Sequence, residues 1–241
     1  MMKALDITKH KTHLTNILID IYKDSSLAPL LGLKGGTAAM LFYKLPRFSV
    51  DLDFDLIPPL KENSEQLKNF VEEVTRLLSL KYVVKDQSIK YHTLFWLVSY
   101  GTGLTKIKVE VSTRDILGNH YLPFPFYGVT VKVMDIRDMI VHKMIALTQR
   151  KTIANRDLFD THFFLSSEYA SEINYSIIKE RLNKEPKEFY VHLLNFVSKI
   201  KPDSVMGGLG EVLTESQKDW VKAKLIVELK GLIQRQMDLL P

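Results

Sequence analysis

The stretch KGGTAAMLFYKLPRFSVDLDFDL, Lys34 to Leu56, combines a glycine pair with an alternating acidic run. Phe48, Val50, Leu52, Phe54 and Leu56 alternate with Ser49, Asp51, Asp53 and Asp55, the pattern of a strand with one apolar and one polar face. Carboxylates two residues apart on such a face stand about 6–7 Å from one another, which means roughly 2–3 kcal/mol of repulsion per pair at an effective dielectric of about 20. Asp is also disfavoured in strands. The row therefore predicts positive charge in front of the acidic face.

Three readings fit the row. It could be a solvated strand face that happens to be acidic. It could be a calcium loop, with D-x-D-x-D followed by Glu62 at the twelfth position, but Leu56 stands where that loop needs glycine and Pro58-Pro59 stiffen its middle. It could also be a platform on which carboxylates hold a pair of Mg²⁺ ions about 4 Å apart, which clamp a phosphate chain and activate an oxygen nucleophile. Upstream, Gly35-Gly36-Thr37 opens a short helix predicted from Thr37 to Tyr43 and ended before Pro46. The P-loop spacing is absent. Two glycines at a helix start let phosphate approach bare N–H groups, and Thr37 adds a hydroxyl donor.

The 241 residues, 46% of them hydrophobic, suffice for one large or two modest domains. A formal charge of +5 permits an anionic partner such as RNA or a nucleotide without requiring one. Cysteine is absent, so metal chemistry falls to oxygen ligands and His. The start, MMKALDITKHKTHL, lacks the apolar centre of a signal peptide, and no apolar run is long enough to span a bilayer. A cytoplasmic location without membrane contact is expected.

Helical spacing is predicted over residues 5–24 and 64–80, the latter capped by Asn63 or Ser64. KYVVKD, TLFWLVSY, TKIKVEVS and GVTVKVM read as strands completing a mixed sheet. After Asp135 the pattern gives five helices, with KPDSVMGGLG as the clearest loop. The expected fold class is α/β (α+β), a mixed sheet with flanking helices in residues 1–134, followed by an all-helical domain in residues 135–241.

Further candidates lie outside the opening stretch. KIKVEV puts Lys106, Lys108 and Glu110 on one strand face, either as a solvated face with a salt bridge or with Glu110 as a third carboxylate able to ligate metal or take a proton. Lys143 and Arg150 share a helix face, and Asp157 and Asp160 lie one turn apart, a spacing that also suits plain salt bridges between helices. His142 and His162 read as packing or surface residues, and Phe95, Trp96 and Trp220 as core.

LKGGTAAMLFYKLPRFSVDLDFDL, IKVEV, VHKMIAL and RDLFDTHFFL, in that order, resemble the AbiEii/MenT-like nucleotidyltransferase toxins, distant relatives of DNA polymerase β-type transferases. The resemblance covers residues of about 30 to 165. It implies a nucleotidyltransferase-like fold, an NTP substrate with two Mg²⁺ ions, and a separately encoded antitoxin. By the same resemblance Gly36 and Thr37 match the phosphate-holding turn, Asp51 and Asp53 the metal-binding pair, and Arg47 and Ser49 the positions that support it. Lys143 matches a lysine near the triphosphate and Asp157 the acid of the final motif. Glu110 stands where relatives often carry Asp, and Asp55 is an additional acid. The implied activity is transfer of NMP to an acceptor hydroxyl, with the 3′ end of tRNA as acceptor; basic clusters Lys106/Lys108 and Arg150/Lys151 could follow its backbone. A protein hydroxyl as acceptor, or a non-catalytic nucleotide- or metal-binding module, are the rival readings.

Overall fold

The computed structural model describes residues 6–57, 60–61, 64–101, 106–114, 118–150, 152 and 154–240. Pro58-Pro59, Glu62, Asn63 and Lys151, invoked above, lie outside the described residues. The chain divides into two units, one comprising residues 1–117 and 121–134, the other residues 118–120 and 135–241.

The first unit opens with α1, Ile7–Lys23, capped by Asp6, whose carboxylate accepts from the Lys9 N–H at 3.0 Å. Leu14, Ile17, Leu18 and Ile21 form its buried stripe. Then come β1 (Leu31–Lys34), α2 (Gly35–Phe42), β2 (Leu52–Leu56), α3 (Glu65–Ser79), β3 (Val83–Lys90), β4 (Thr93–Ser99), β5 (Lys106–Ser112), β6 (Tyr121–Phe126) and β7 (Val129–Met134). Ser64 caps α3 by accepting from the Leu67 N–H at 3.1 Å.

The strands form one sheet in the order β3-β4-β5-β2-β1-β7-β6. It is mixed, since β2 runs parallel to β5 and β1 parallel to β7 while the remaining neighbours are antiparallel. Leu52, Phe54, Val109, Val111, Leu94 and Trp96 alternate into the core as their spacing predicts. Trp96 satisfies its buried indole N–H by donating to the Thr75 hydroxyl of α3 at 2.8 Å.

Two strands escape a reading by periodicity. β1 is a four-residue segment, LGLK, too short to show a period. β6, YLPFPF, carries two prolines and therefore reads as broken chain. It is an edge strand, joined to β7 by a two-residue hairpin whose Tyr127 and Gly128 have φ of 43° and 84°. In such a hairpin the flanking pair Phe126 and Val129 exchanges hydrogen bonds, so Pro125 and Pro123 fall at non-bonded positions, where β7 needs no donor from them. β2 also begins at Leu52, which leaves Asp51 just ahead of the ladder rather than within it.

In the second unit α4 (Ile136–Gln149), α5 (Asn155–Leu165), α6 (Ser176–Leu182), α7 (Pro186–Ser198) and α8 (Glu215–Asp238) follow. Thr214 and Gln217 cap α8 reciprocally, and Pro186 stands in the first turn of α7, where no N–H is needed. The glycine-rich segment 201–210 is packed rather than loose. Val205 and Leu209 are fully buried, and the Asn155 amide donates to the carbonyls of Ser204 and Gly207 at 2.8 and 3.0 Å. Among the described residues no helix is long and apolar enough to cross a membrane.

The parallel β1–β7 pairing is short, with Leu33 opposite Val133, and the Tyr22 hydroxyl bridges the same two strands by donating toward the carbonyls of Leu31 and Lys132 at 2.9 and 3.0 Å. Tyr22→Phe removes that bridge, and with it the one proton the two carbonyls share. We expect a loss of about 1–2 kcal/mol, read as a lowered urea midpoint with unchanged slope.

Candidate active site

Register brings the acidic residues of the first unit together. Lys34 on β1 lies opposite Asp53 on β2, and Asp53 lies opposite Glu110 on β5, so the three side chains stand side by side on one face at strand spacing of about 4.8 Å. The expected positive charge is present. Lys34 pairs with the buried Asp55 carboxylate, which also accepts a hydrogen bond from the Tyr121 hydroxyl at 2.5 Å. Lys108, on β5, holds its ammonium 3.9 Å from the Asp51 carboxylate. Asp55 is thus occupied inside the protein, whereas Asp51, Asp53 and Glu110 are half-buried and reach the surface.

The glycine pair is packed against this row. Gly35 has φ of +75°, and a Cβ placed there would meet the Asp53 Oδ2 at 2.5 Å. A Cβ on Gly36 would meet the Ser49 hydroxyl at 2.8 Å and the Arg47 guanidinium at 2.9 Å. Only glycine lets the start of α2 sit this close to the carboxylate and to the pair Arg47 and Ser49, both nearly fully buried. Thr37 departs from expectation. Its side chain is fully buried and its hydroxyl donates to the Asp51 carbonyl, so it fixes the approach to β2 instead of offering a proton to phosphate.

In the second unit Lys143 on α4 lies between two acids of α5, 3.0 Å from Asp157 and 2.9 Å from Asp160. Arg150 reaches the other oxygen of Asp157 at 3.0 Å. Both carboxylates are buried, and two cations against two anions leave this cluster formally neutral. His142 accepts from the Arg181 guanidinium at 2.7 Å through Nδ1, and its Nε2 faces the Asn119 side-chain oxygen at 2.5 Å. It is held in a polar network of its own unit. Burial lowers the His162 pKa against the opposing pull of Glu228; the ring also packs on Trp220, which is half-exposed rather than core.

Among the described residues no group of three His, Cys, Asp or Glu is arranged to hold a metal by itself. The acidic row nevertheless fits Mg²⁺. Its donors are hard carboxylate oxygens, Asp51, Asp53 and Glu110 all reach the surface, and Mg²⁺ characteristically takes one or two protein carboxylates and completes its shell with water and substrate phosphates. Lys34 and Tyr121 escaped the sequence reading. The only signal for either was the charge requirement of the row, because their partner Asp55 is 21 and 66 residues away.

Residues 16–224 match the profile of a family described as nucleotidyl transferase AbiEii toxin, type IV TA system. The chain belongs to the AbiEii family. It is a nucleotidyltransferase, and AbiEii membership implies an NTP substrate and an antitoxin partner. Two solved structures share the fold. One is a candidate nucleotidyltransferase from H. pylori, 21% identical, TM-score 0.61, with 98% of this chain and 96% of that one covered. The other is JHP933 from Helicobacter pylori, 20% identical, TM-score 0.59, with 99% and 94% covered. No curated protein matches the chain.

Gly35→Ala tests the packing of this site. The added methyl meets both an unfavourable φ and the Asp53 carboxylate, so nucleotide transfer should fall about 100-fold or more, with stability lowered by about 1–3 kcal/mol. Steady-state transfer alongside thermal melting checks both.

Proposed function

We propose that this AbiEii protein transfers NMP from an NTP to the 3′-hydroxyl of tRNA in a Mg²⁺-dependent reaction. The observation that carries the reading is the half-exposed pair Asp51 and Asp53 on either side of the β2 start, with Asp53 packed against a glycine that admits no side chain. Asp51 and Asp53 would hold the metal, two ions in the expected arrangement, with Glu110 alongside. Metal held by these carboxylates would supply neutralisation of phosphate charge and ease deprotonation of the acceptor hydroxyl.

The remaining roles belong to the chain. Backbone N–H groups of the Gly35-Gly36 turn, at the positive end of α2, suit phosphate oxygens. Arg47, Ser49 and Thr37 keep that turn and the acidic pair in register. Lys143 is assigned to the polyphosphate, with Asp157 and Asp160 fixing its ammonium. The acceptor oxygen bonds to the α-phosphorus, the bond from that phosphorus to the β-bridging oxygen breaks, and pyrophosphate leaves. Glu110 takes the hydroxyl proton. Positioning and charge neutralisation make up most of such a catalyst.

The test supplies purified protein with Mg²⁺, each α-labelled NTP in turn, and tRNA with either a free or a blocked 3′ end. Label should enter only the free-ended tRNA, pyrophosphate should appear in step, and transfer should fall steeply with salt. Asp51→Asn and Asp53→Asn should each lower transfer by about 1000-fold or more, by analogy with loss of a strong electrostatic contact to the transition state, while melting stays near wild type. Equal labelling of blocked tRNA, or label on a protein band, overturns the tRNA acceptor. Near-wild-type transfer by either variant overturns the metal pair.

A further inference from the structure

Residues 48–51 lead into β2 without pairing to another strand, so their carbonyls must find donors elsewhere. Among the described residues, side chains supply them. The Arg47 guanidinium donates to the Phe48 carbonyl at 3.0 Å, the Thr37 hydroxyl to the Asp51 carbonyl, and the His10 Nε2 lies 2.8 Å from the Val50 carbonyl. His10 comes from α1, a separate element, and is 1% exposed. A carbonyl only accepts, so the Nε2 carries the proton. In the neutral ring the Nδ1 is then a bare acceptor, and the Tyr100 hydroxyl stands 2.8 Å from it.

The ring is also gripped sideways. Phe48 and Tyr100 meet it edge-on at centroid distances of 5.7 and 5.5 Å, and His13 stacks on Tyr100 at 4.3 Å. Burial, assisted by the Asp6 carboxylate, raises the Tyr100 pKa and keeps its hydroxyl a donor. His10 precedes the residues matched to the AbiEii profile, which begin at 16.

We propose that His10 is a positioning residue for Asp51: by holding the Val50 carbonyl it fixes the direction in which the next residue's carboxylate leaves the chain. The inference rests on Asp51 being a metal-holding carboxylate. Thr37 secures the peptide on the far side of Asp51, so the residue is pinned through the carbonyls before and after it. Neither His10 nor Tyr100 touches substrate in this scheme.

The test compares His10→Gln, His10→Asn and His10→Leu. The Gln amide nitrogen can take the place of Nε2 and keep the donor to Val50; the Asn amide overlays Nδ1 and cannot, and Leu supplies no donor. Mn²⁺ binding without nucleotide is read by electron paramagnetic resonance, and the Mn²⁺ concentration for half-maximal transfer is measured separately, with melting temperature as the control. Gln should stay within about threefold of wild type in both Mn²⁺ readouts, whereas Asn and Leu should weaken by about 10–100-fold, the range for residues that orient a metal ligand. KM for NTP should change little. Equal Mn²⁺ behaviour in all four proteins, or losses that follow melting temperature instead of the Val50 donor, overturns the proposal. Asp51→Asn separates the two levels: wild-type Mn²⁺ behaviour in that variant removes the metal reading and His10's role with it, while a loss there with none in the His10 series removes His10's role alone.

Discussion

Like charges on one strand must be compensated or separated, and the acidic row of β2 does both. Asp55 is taken inward, where Lys34 and Tyr121 satisfy it, while Asp51 is moved just ahead of the ladder with Lys108 within 3.9 Å. That leaves Asp53 in the middle, beside Lys34 and Glu110 in the register and pressed against Gly35. A sheet built only for stability would place apolar or uncharged groups here. Half-buried carboxylates at such positions are of the kind expected where a charged ligand is to be met.

The second cluster obeys the opposite rule. Lys143 and Arg150 are matched by Asp157 and Asp160 inside the helical unit, and the ion pairs link α4 to α5. Buried pairs of this kind contribute little net stability against hydrophobic replacements but cost several kcal/mol when one partner is removed. Their value lies in fixing where a lysine ammonium stands. The spacing of these residues suits plain salt bridges between helices, and such pairs are what the helical unit contains.

The long helices were legible because an apolar stripe repeats over several turns, as in Leu67, Phe70, Val71 and Val74 of α3, and their caps are local. The acidic strand was legible for the same reason at period two. What stayed hidden depends on chain segments meeting from afar. No local pattern says that Tyr121 answers Asp55, that His10 answers Val50 forty residues on, or that Thr37 turns its hydroxyl inward to Asp51. β1 and β6 were missed for opposite reasons, one too short to have a period and the other interrupted by prolines that only an edge position tolerates.

Those prolines make the two margins of the sheet unequal. At β6 the outward-facing positions 123 and 125 have no N–H to offer, so an incoming strand finds the donors missing at successive sites. The opposite margin, β3, is free of proline over Val83–Lys90. Aggregation by strand addition needs two sticky margins per molecule to propagate, and among the described strands the prolines of β6 deny one of them. Association of β3 with the β3 of a second molecule would close on itself as a symmetric pair, with no further margin from which a fibre could grow.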